Sequence, residues 1–139
     1  MTTATIPASE LRSLIRVEVP RAWLLNANVK LHWRRKGERA AWLRQAAGLD
    51  AARFRRTLTR PTPIQERVHC VVMVSWPDRR RRDVHNLMPT VKPCIDGIVD
   101  AGVLADDSDQ HLLGPDLRVT DELCAPDLAC VLTFALVEV

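Results

Sequence analysis

The segment V-H-C-V-V-M-V-S-W at residues 68–76 decides the fold class of this chain. Four of its nine residues are valine, and β-branched side chains suit the pleated, half-buried surface of a strand. Residues 77–83, P-D-R-R-R-R-D, are polar and begin with proline, so the chain is expected to leave the sheet there. We therefore predict a central strand at residues 68–76.

Three further strands are predicted on either side of this segment. Residues 14–19, L-I-R-V-E-V, alternate apolar and charged side chains as a half-buried strand does. Residues 128–137, L-A-C-V-L-T-F-A-L-V, form an apolar run that predicts a closing strand. Residues 112–119 predict another strand, interrupted by Gly114 and Pro115.

Two helices are predicted between these strands. Residues 33–58 are rich in alanine, arginine and leucine, which predicts one helix or two helices broken near Gly48. Residues 86–101 predict a second helix with Gly102 as its stop, although prolines could delay its regular start to Thr90 or Pro93. Gly97 would let another helix approach closely, which leaves open a dimer contact there.

The order β-α-β-α-β-β predicts an α+β fold, with one mixed sheet of about four strands and two main helices. A chain of 139 residues is expected to form a single compact domain over residues 1–139, with residues 1–10 as a loose tail. No run of eighteen apolar residues occurs, so no membrane span is expected. The first ten residues carry no secretory pattern, which makes a cytoplasmic location the expectation.

The cysteines do not form a zinc motif. The chain has four, at positions 70, 94, 124 and 130, and each lies in an apolar context without a C-x-x-C pair. We interpret them as buried reduced thiols, which behave as small apolar side chains.

Charge is distributed unevenly along the chain. Residues 1–60 contain 13 Lys and Arg against 4 Asp and Glu, whereas residues 101–139 contain 1 against 8. A basic first half suits a polyanion and an acidic last third suits a metal ion. Charge bias by itself is equally consistent with solvated faces that balance each other.

Residues 76–109 bring both kinds of charge together. The run Arg79, Arg80, Arg81 and Arg82 ends at Asp83, and an acidic group at Asp106, Asp107 and Asp109 follows the second predicted helix. Arginines can grip a phosphate backbone, and carboxylates supply the hard oxygen ligands that Mg²⁺ prefers. The pattern indicates an enzyme that cuts nucleic acid, and the alternative is an arginine-rich loop and an acidic turn that are merely solvated.

A lysine lies within the same segment. Lys92 and Asp96 are four residues apart and can therefore share one face of a helix. Near a metal site, Lys92 could stabilise transition-state charge or protonate the leaving oxygen. Otherwise the two residues form an ordinary surface ion pair.

These residues carry a resemblance to a known family. P-D-R-R-R-R-D-V-H-N-L at residues 77–87, followed by Lys92, Asp96, Gly102 and the Asp106–Asp107 pair, resembles the motif of the RusA family of Holliday-junction resolvases. Near the start of the chain, residues 26–28 and 32–33 are similar to the asparagine-containing opening loop of that family. The resemblance implies a small, magnesium-dependent, homodimeric endonuclease with a compact α+β fold.

The resemblance also implies roles for individual residues. Asp83 would be the first metal-binding aspartate and Asp107, or less favourably Asp106, the last. Lys92 would be the catalytic lysine and Arg82 a DNA-contacting arginine. Further candidates for DNA contact, beside these, are Arg79, Arg80, Arg81, Asn28, Trp33, Arg34 and Arg35.

The chain departs from the family pattern twice. His85 occupies the place of a second aspartate, and imidazole is a softer ligand that Mn²⁺ tolerates better than Mg²⁺ does. The interval from Asn86 to Lys92 is three residues longer than in the family, close to one helical turn. These differences leave His85 open as a metal ligand and Lys92 open as a catalytic group.

The expected function is a magnesium-dependent endodeoxyribonuclease acting on four-way junctions or related branched DNA, in a bacterial or phage-infected cell. Two symmetric copies would match the symmetry of the junction. The alternative is a protein that binds branched DNA with little or no cleavage, because His85 replaces an acidic ligand.

Overall fold

A mixed four-stranded sheet carries two helices in this computed structural model, which describes residues 14–139. The predicted α+β fold, with one sheet and two main helices, is confirmed. The expected loose tail at residues 1–10 lies outside the described residues. No helix among residues 14–139 combines the length and apolar character that crossing a membrane requires.

The elements follow the predicted order and lie close to their predicted bounds. The strands are β1 (Ile15–Pro20), β2 (Val68–Ser75), β3 (Leu112–Val119) and β4 (Leu128–Glu138). The helices are α1 (Trp33–Thr57) and α2 (Met88–Asp100), and short 3-10 turns cover Arg21–Trp23 and Val84–Leu87.

The strand order is β1-β4-β2-β3, so β2 lies inside the sheet as predicted. Its side chains alternate between buried and partly buried positions. It pairs antiparallel with β4 and parallel with β3. A parallel pair needs a crossover connection, and α2 lies in the segment that makes it. Residues 76–87 therefore connect the end of β2 to the start of α2.

Helix α1 is continuous over 25 residues, so Gly48 does not break it. Gly48 instead lies where the two helices cross. A Cβ atom added to Gly97 of α2 would come 2.1 Å from the carbonyl oxygen of Arg44 and 2.9 Å from the backbone nitrogen of Gly48. The close helix approach predicted for Gly97 is therefore made within the chain, by α1.

Helix α2 begins earlier than the proline positions suggested. It starts at Met88, directly after the 3-10 turn, and Pro89 occupies its first turn, where a missing N–H costs nothing. Pro93 lies inside the helix. Gly102 has a φ of +80°, which confirms it as the residue that stops the helix.

The core lies between the sheet and the helices and contains three of the cysteines. Cys70, Cys94 and Cys130 are buried, and burial raises the pKa of each thiol to about 12. Cys124 is partly exposed, and all four are free thiols. The interpretation as reduced thiols agrees with this arrangement, with Cys124 less buried than expected.

Candidate nucleic-acid interface

A cleft of about 640 Å³ joins segments that are distant in the sequence. One wall is the loop after β1, and the other is formed by the residues between β2 and α2. Its polar lining consists of arginines, asparagines and one aspartate: Arg21, Asn26, Asn28, Arg80, Arg81, Arg82, Asp83 and Asn86. Five of the residues predicted to form the site, Asn28, Arg80, Arg81, Arg82 and Asp83, thus line one concave surface.

One backbone hydrogen bond and two bonds of the Thr90 hydroxyl hold the two walls together. The N–H of Ala27 donates to the carbonyl of Asn86 at 2.9 Å. The buried Thr90 hydroxyl accepts from the N–H of Leu25 at 2.9 Å and donates to the Leu25 carbonyl at 2.5 Å. These bonds satisfy polar groups that would be costly to bury unpaired, so they fix the opening loop against the start of α2.

The arginine loop, residues 79–82, is organised by Asp78. The Asp78 carboxylate accepts from the Arg80 backbone N–H at 3.0 Å, and it forms ion pairs with the Arg80 and Arg82 guanidinium groups at 3.0 and 2.8 Å. The Arg80 backbone hydrogen bond, helped by both guanidinium groups, lowers the pKa of Asp78 to about 2. Asp78 therefore stays ionised at neutral pH.

Arg82 is the most constrained arginine of the loop. Its guanidinium lies over the Trp76 ring, 4.7 Å from the centroid, and donates to the carbonyls of Asp78 and Arg80 at 3.3 and 3.2 Å. Its side chain is only 22% exposed. These contacts use most of its donors within the protein, which makes Arg82 primarily a support for the loop.

Arg79 and Arg81 are left to face solvent. Both are exposed, and neither takes part in an ion pair or a side-chain hydrogen bond among residues 14–139. Neighbouring unpaired guanidinium groups repel each other, and a polyanion relieves that repulsion. Both guanidinium groups are therefore free to take a phosphate, but only Arg81 lines the cleft with Asp83, whereas Arg79 lines a neighbouring opening.

Asp83 and His85 form a local pair at the end of the loop. Asp83 caps the 3-10 turn by accepting from the His85 backbone N–H at 3.0 Å, and its Oδ1 lies 3.3 Å from His85 Nδ1. The Asp83 side chain is 64% exposed and that of His85 78%. Both also line a second opening of about 480 Å³, so their outer atoms are accessible to water and ligands.

Lys92 is the centre of a second charged cluster. Its ammonium donates to Asp107 and, at 2.9 Å, to Asp96. The hydrogen bond to Asp107, with that to Asp96, raises the pKa of Lys92, and the same bond lowers the pKa of Asp107. Asp106 accepts from the Asp107 backbone N–H at 2.8 Å. Lys92 and Asp96 therefore share one face of the helix as predicted and form an ion pair, and the contact of Lys92 with Asp107 is an additional finding.

No direct contact joins the two clusters among the described residues. Among residues 14–139, no hydrogen bond or ion pair joins Asp83 or His85 to Lys92 or Asp107, and no three His, Cys, Asp or Glu side chains could hold a metal ion together. The convergence of Asp83 with Asp107 therefore stays a prediction. Mg²⁺ is compatible with this donor set, because it commonly binds through one or two carboxylates and completes its shell with waters and substrate phosphates.

Trp33, Arg34 and Arg35 lie at the start of α1, next to the opening loop. All three are exposed, and the Arg34 guanidinium lies 5.3 Å from the centroid of the Trp33 ring. His32 caps the helix by accepting from the Arg34 N–H at 3.2 Å. They extend the basic surface beyond the cleft.

Sequence reasoning missed several residues of this surface. Arg21 and Asn86 line the cleft, and Asp78 and Thr90 hold its walls. The position of Asp78, two and four residues before two arginines, was a usable signal for local ion pairs. No local pattern identified Arg21 or Thr90, because their partners are remote in the sequence.

No protein-family model matches this chain, and no curated protein is significantly similar to it. The resemblance to resolvases therefore depends on the sequence motif alone.

Proposed function

We propose that this protein is a metal-dependent endodeoxyribonuclease that acts on branched DNA, with the four-way junction as the favoured substrate. The supporting observation is the cleft that places Asp83 among Arg80, Arg81 and Arg82, opposite Asn28. Guanidinium groups bind phosphates and asparagine amides bind phosphate or base oxygens. The Asp83 carboxylate beside them would bind a metal ion next to the DNA phosphate that is to be cleaved.

The arginine loop is proposed to position the DNA backbone. Arg79 and Arg81 carry the phosphate contacts, and Arg82, pinned by Asp78, keeps the loop in one conformation. A preordered loop loses little conformational freedom on binding. Because phosphate contacts release counterions, affinity should fall as the salt concentration rises.

The metal is proposed to bind at Asp83, with His85 and the Asp107 carboxylate, or Asp106, as further ligands. A bound Mg²⁺ or Mn²⁺ supplies an activated water and stabilises charge on the phosphate. Asp83 is held for this role because its Oδ1 is fixed by the His85 N–H, while its exposure leaves oxygen lone pairs free.

Lys92 is proposed to protonate the leaving oxygen or to stabilise the negative charge of the transition state. The hydrogen bonds to Asp107 and Asp96 raise its pKa above the ordinary lysine value, so the ammonium form is further favoured. Asp96 and Asp107 restrain its position through hydrogen bonds. As a cation beside a scissile phosphate it would stabilise developing negative charge.

The remaining parts of the proposal concern assembly and location. A homodimer would present two such sites to the two symmetric strands of a junction. The free thiols of the described chain suit the reducing cytoplasm of a bacterial or phage-infected cell.

The second candidate function is a branched-DNA-binding protein with weak or no cleavage. It is favoured by His85 in place of an acidic ligand, and by the separation of Asp83 from the Lys92 cluster among residues 14–139. Both functions require binding to DNA, so only a cleavage assay separates them.

The test uses labelled four-way junctions with Mg²⁺ and, separately, Mn²⁺. The parent is expected to cut, and Asp83→Asn to bind junctions with similar affinity but to lose cleavage by at least about 100-fold, the scale of a lost essential group. Asp127→Asn, an exposed acid before β4, is the matched control and should cut normally. Binding without cleavage under both metals supports the second candidate, and normal cleavage by Asp83→Asn contradicts the metal assignment.

A further inference from the structure

Trp33 is a large apolar side chain that the fold leaves uncovered. It is 70% exposed at the first residue of α1, whereas that helix packs on the core through Leu43, Ala47 and Ala51. Trp42 of the same helix stacks on Trp23 with centroids 5.4 Å apart and planes 3° from parallel. Trp33 has only a tilted aromatic neighbour, His32, whose ring centroid lies 5.5 Å away at an interplanar angle of 31°, and it is not part of the core among residues 14–139.

The residues next to Trp33 in the sequence are cationic or neutral. Between Glu18 and Glu38 the chain contains no acidic residue, and the sequence neighbours Lys30, Arg34, Arg35 and Lys36 are all exposed. Arg34 lies over the ring at 5.3 Å. This combination of a largely exposed indole and positive charge in the neighbouring residues is complementary to a nucleic acid rather than to an apolar or basic protein surface.

Trp33 is close enough to the cleft to act on the same ligand. Trp33 is five positions after Asn28, which lines the cleft, and five extended residues span at most about 18 Å. That span corresponds to about five base pairs of duplex. One DNA molecule can therefore contact the arginine loop and Trp33 together.

The chemistry of the indole selects the form of DNA it can bind. Bases inside a duplex are already stacked on both faces, whereas an unpaired base offers a free face to an aromatic ring. We infer that Trp33 is a stacking site for an unpaired base next to the duplex held in the cleft. This inference rests on the proposed DNA-binding function and specifies a substrate with single-stranded character at its branch.

The test compares two DNAs without divalent metal, so that cleavage plays no part. One is a duplex, and the other is the same duplex with a short single-stranded thymidine flap. Fluorescence anisotropy with labelled DNA gives each Kd. Trp33→Ala is expected to weaken binding of the flap DNA about 5- to 150-fold, the loss of one base–aromatic stack, and binding of the duplex less than about 2-fold.

Two further variants sharpen the result. Trp33→Phe should retain most of the flap preference because it keeps an aromatic face. Leu49→Ala removes another exposed apolar side chain, 69% exposed and roughly 24 Å along α1, and should change neither Kd. Equal losses on both DNAs, or no loss with DNA binding intact, would overturn the inference. If the parent binds neither DNA, the proposed function has failed, and the inference fails with it.

Discussion

The four consecutive arginines are chemically alike but occupy different environments. Arg82 is held by Asp78 and by the Trp76 ring, and Arg80 shares the same carboxylate. Arg79 and Arg81 are exposed without such partners among residues 14–139. A surface charge already paired within the protein must break that pairing to bind a ligand, so the contributions of the four should differ.

Replacing Arg79 and Arg81 together by alanine should weaken junction binding. The slope of log K against log salt should become shallower by about 0.9 for each phosphate that the variant no longer neutralises. Binding titrations at several salt concentrations measure this slope. Thermal stability should change little, because both side chains are exposed.

Arg82→Ala is the contrasting variant, and it should lower the stability of the fold because it removes the interactions with Asp78 and Trp76. An unchanged salt slope in the double variant would contradict the assignment of phosphate binding to Arg79 and Arg81.

The lowered pKa of Asp78 predicts that the stability of the protein depends on pH. Its folded-state pKa is about 2, below its ordinary value of 3.8. Its ionised form therefore contributes stability that is complete above about pH 4 and is lost as the pH falls through 2. Asp78→Asn should be less stable than the parent at pH 7, and the difference should vanish near pH 2. Urea unfolding of both proteins across this range measures the effect.

Asp127→Asn provides the control for that series and should show no such convergence, since its side chain forms no ion pair within the described residues. A stability difference between Asp78→Asn and the parent that persists at pH 2 would show that the carboxylate charge is not the cause.

Helices α1 and α2 cross so closely that their backbones pack directly against each other. Gly97 of α2 faces the Arg44 carbonyl and Gly48 of α1 without room for a side chain. This crossing fixes how α2 lies on α1, and α2 in turn carries Thr90, which holds the opening loop, and Lys92. A small residue far from the cleft thereby influences its geometry.

Gly97→Ala should destabilise the protein by at least about 1–3 kcal/mol, because its Cβ would lie 2.1 Å from a backbone oxygen and the helices would have to separate. Gly37→Ala in α1 is the control. No atom of the described residues outside its own helix backbone lies within 4 Å of its added Cβ. Replacing this glycine by alanine should therefore raise the free energy of unfolding by about 0.5–1 kcal/mol. Denaturant unfolding distinguishes the two, and an equally stable Gly97→Ala would contradict the crossing.

The cleft is a property of the whole molecule. Its walls come from the loop after β1 and from the chain between β2 and α2. They lie at the same edge of the sheet because β4 pairs antiparallel with both β1 and β2, so β1 and β2 run in the same direction. Positive charge from both segments is concentrated there, although the net charge of the chain is only +3. Local concentration of one sign of charge, rather than net charge, attracts a polyanion.

The thiols report on the integrity of this fold. Cys70, Cys94 and Cys130 are fully buried, and Cys124 is partly exposed. A thiol-specific reagent at pH 8 should react rapidly with one cysteine in the native protein and with all four after unfolding. Cys124→Ser should abolish the rapid phase. Rapid reaction of any thiol in that variant would show that the core is not packed as described.

Much of this arrangement could be predicted from residue patterns. The valine-rich segment indicated β2 and the proline-free, alanine-rich segment indicated α1, since hydrophobic periodicity and propensity act over a few residues. Gly102 was predictable as the helix stop for the same reason. The capping of the 3-10 turn by Asp83, and the early start of α2 at Met88, depended on backbone geometry that these patterns do not encode.

For the candidate site, too, some features could be predicted from the sequence and others depended on the folded structure. Residue types and spacing gave Arg79, Asp83, Lys92 and Asp107 as candidate site residues, because charge and ligand chemistry belong to the side chain. Folding decided that Lys92 lies between Asp96 and Asp107, that Asp83 lies in the cleft with the asparagine loop, and that Arg82 is enclosed by Asp78 and Trp76. These pairings depend on packing between segments far apart in the chain, and that packing is a sum of many small interactions which no short stretch of residues contains.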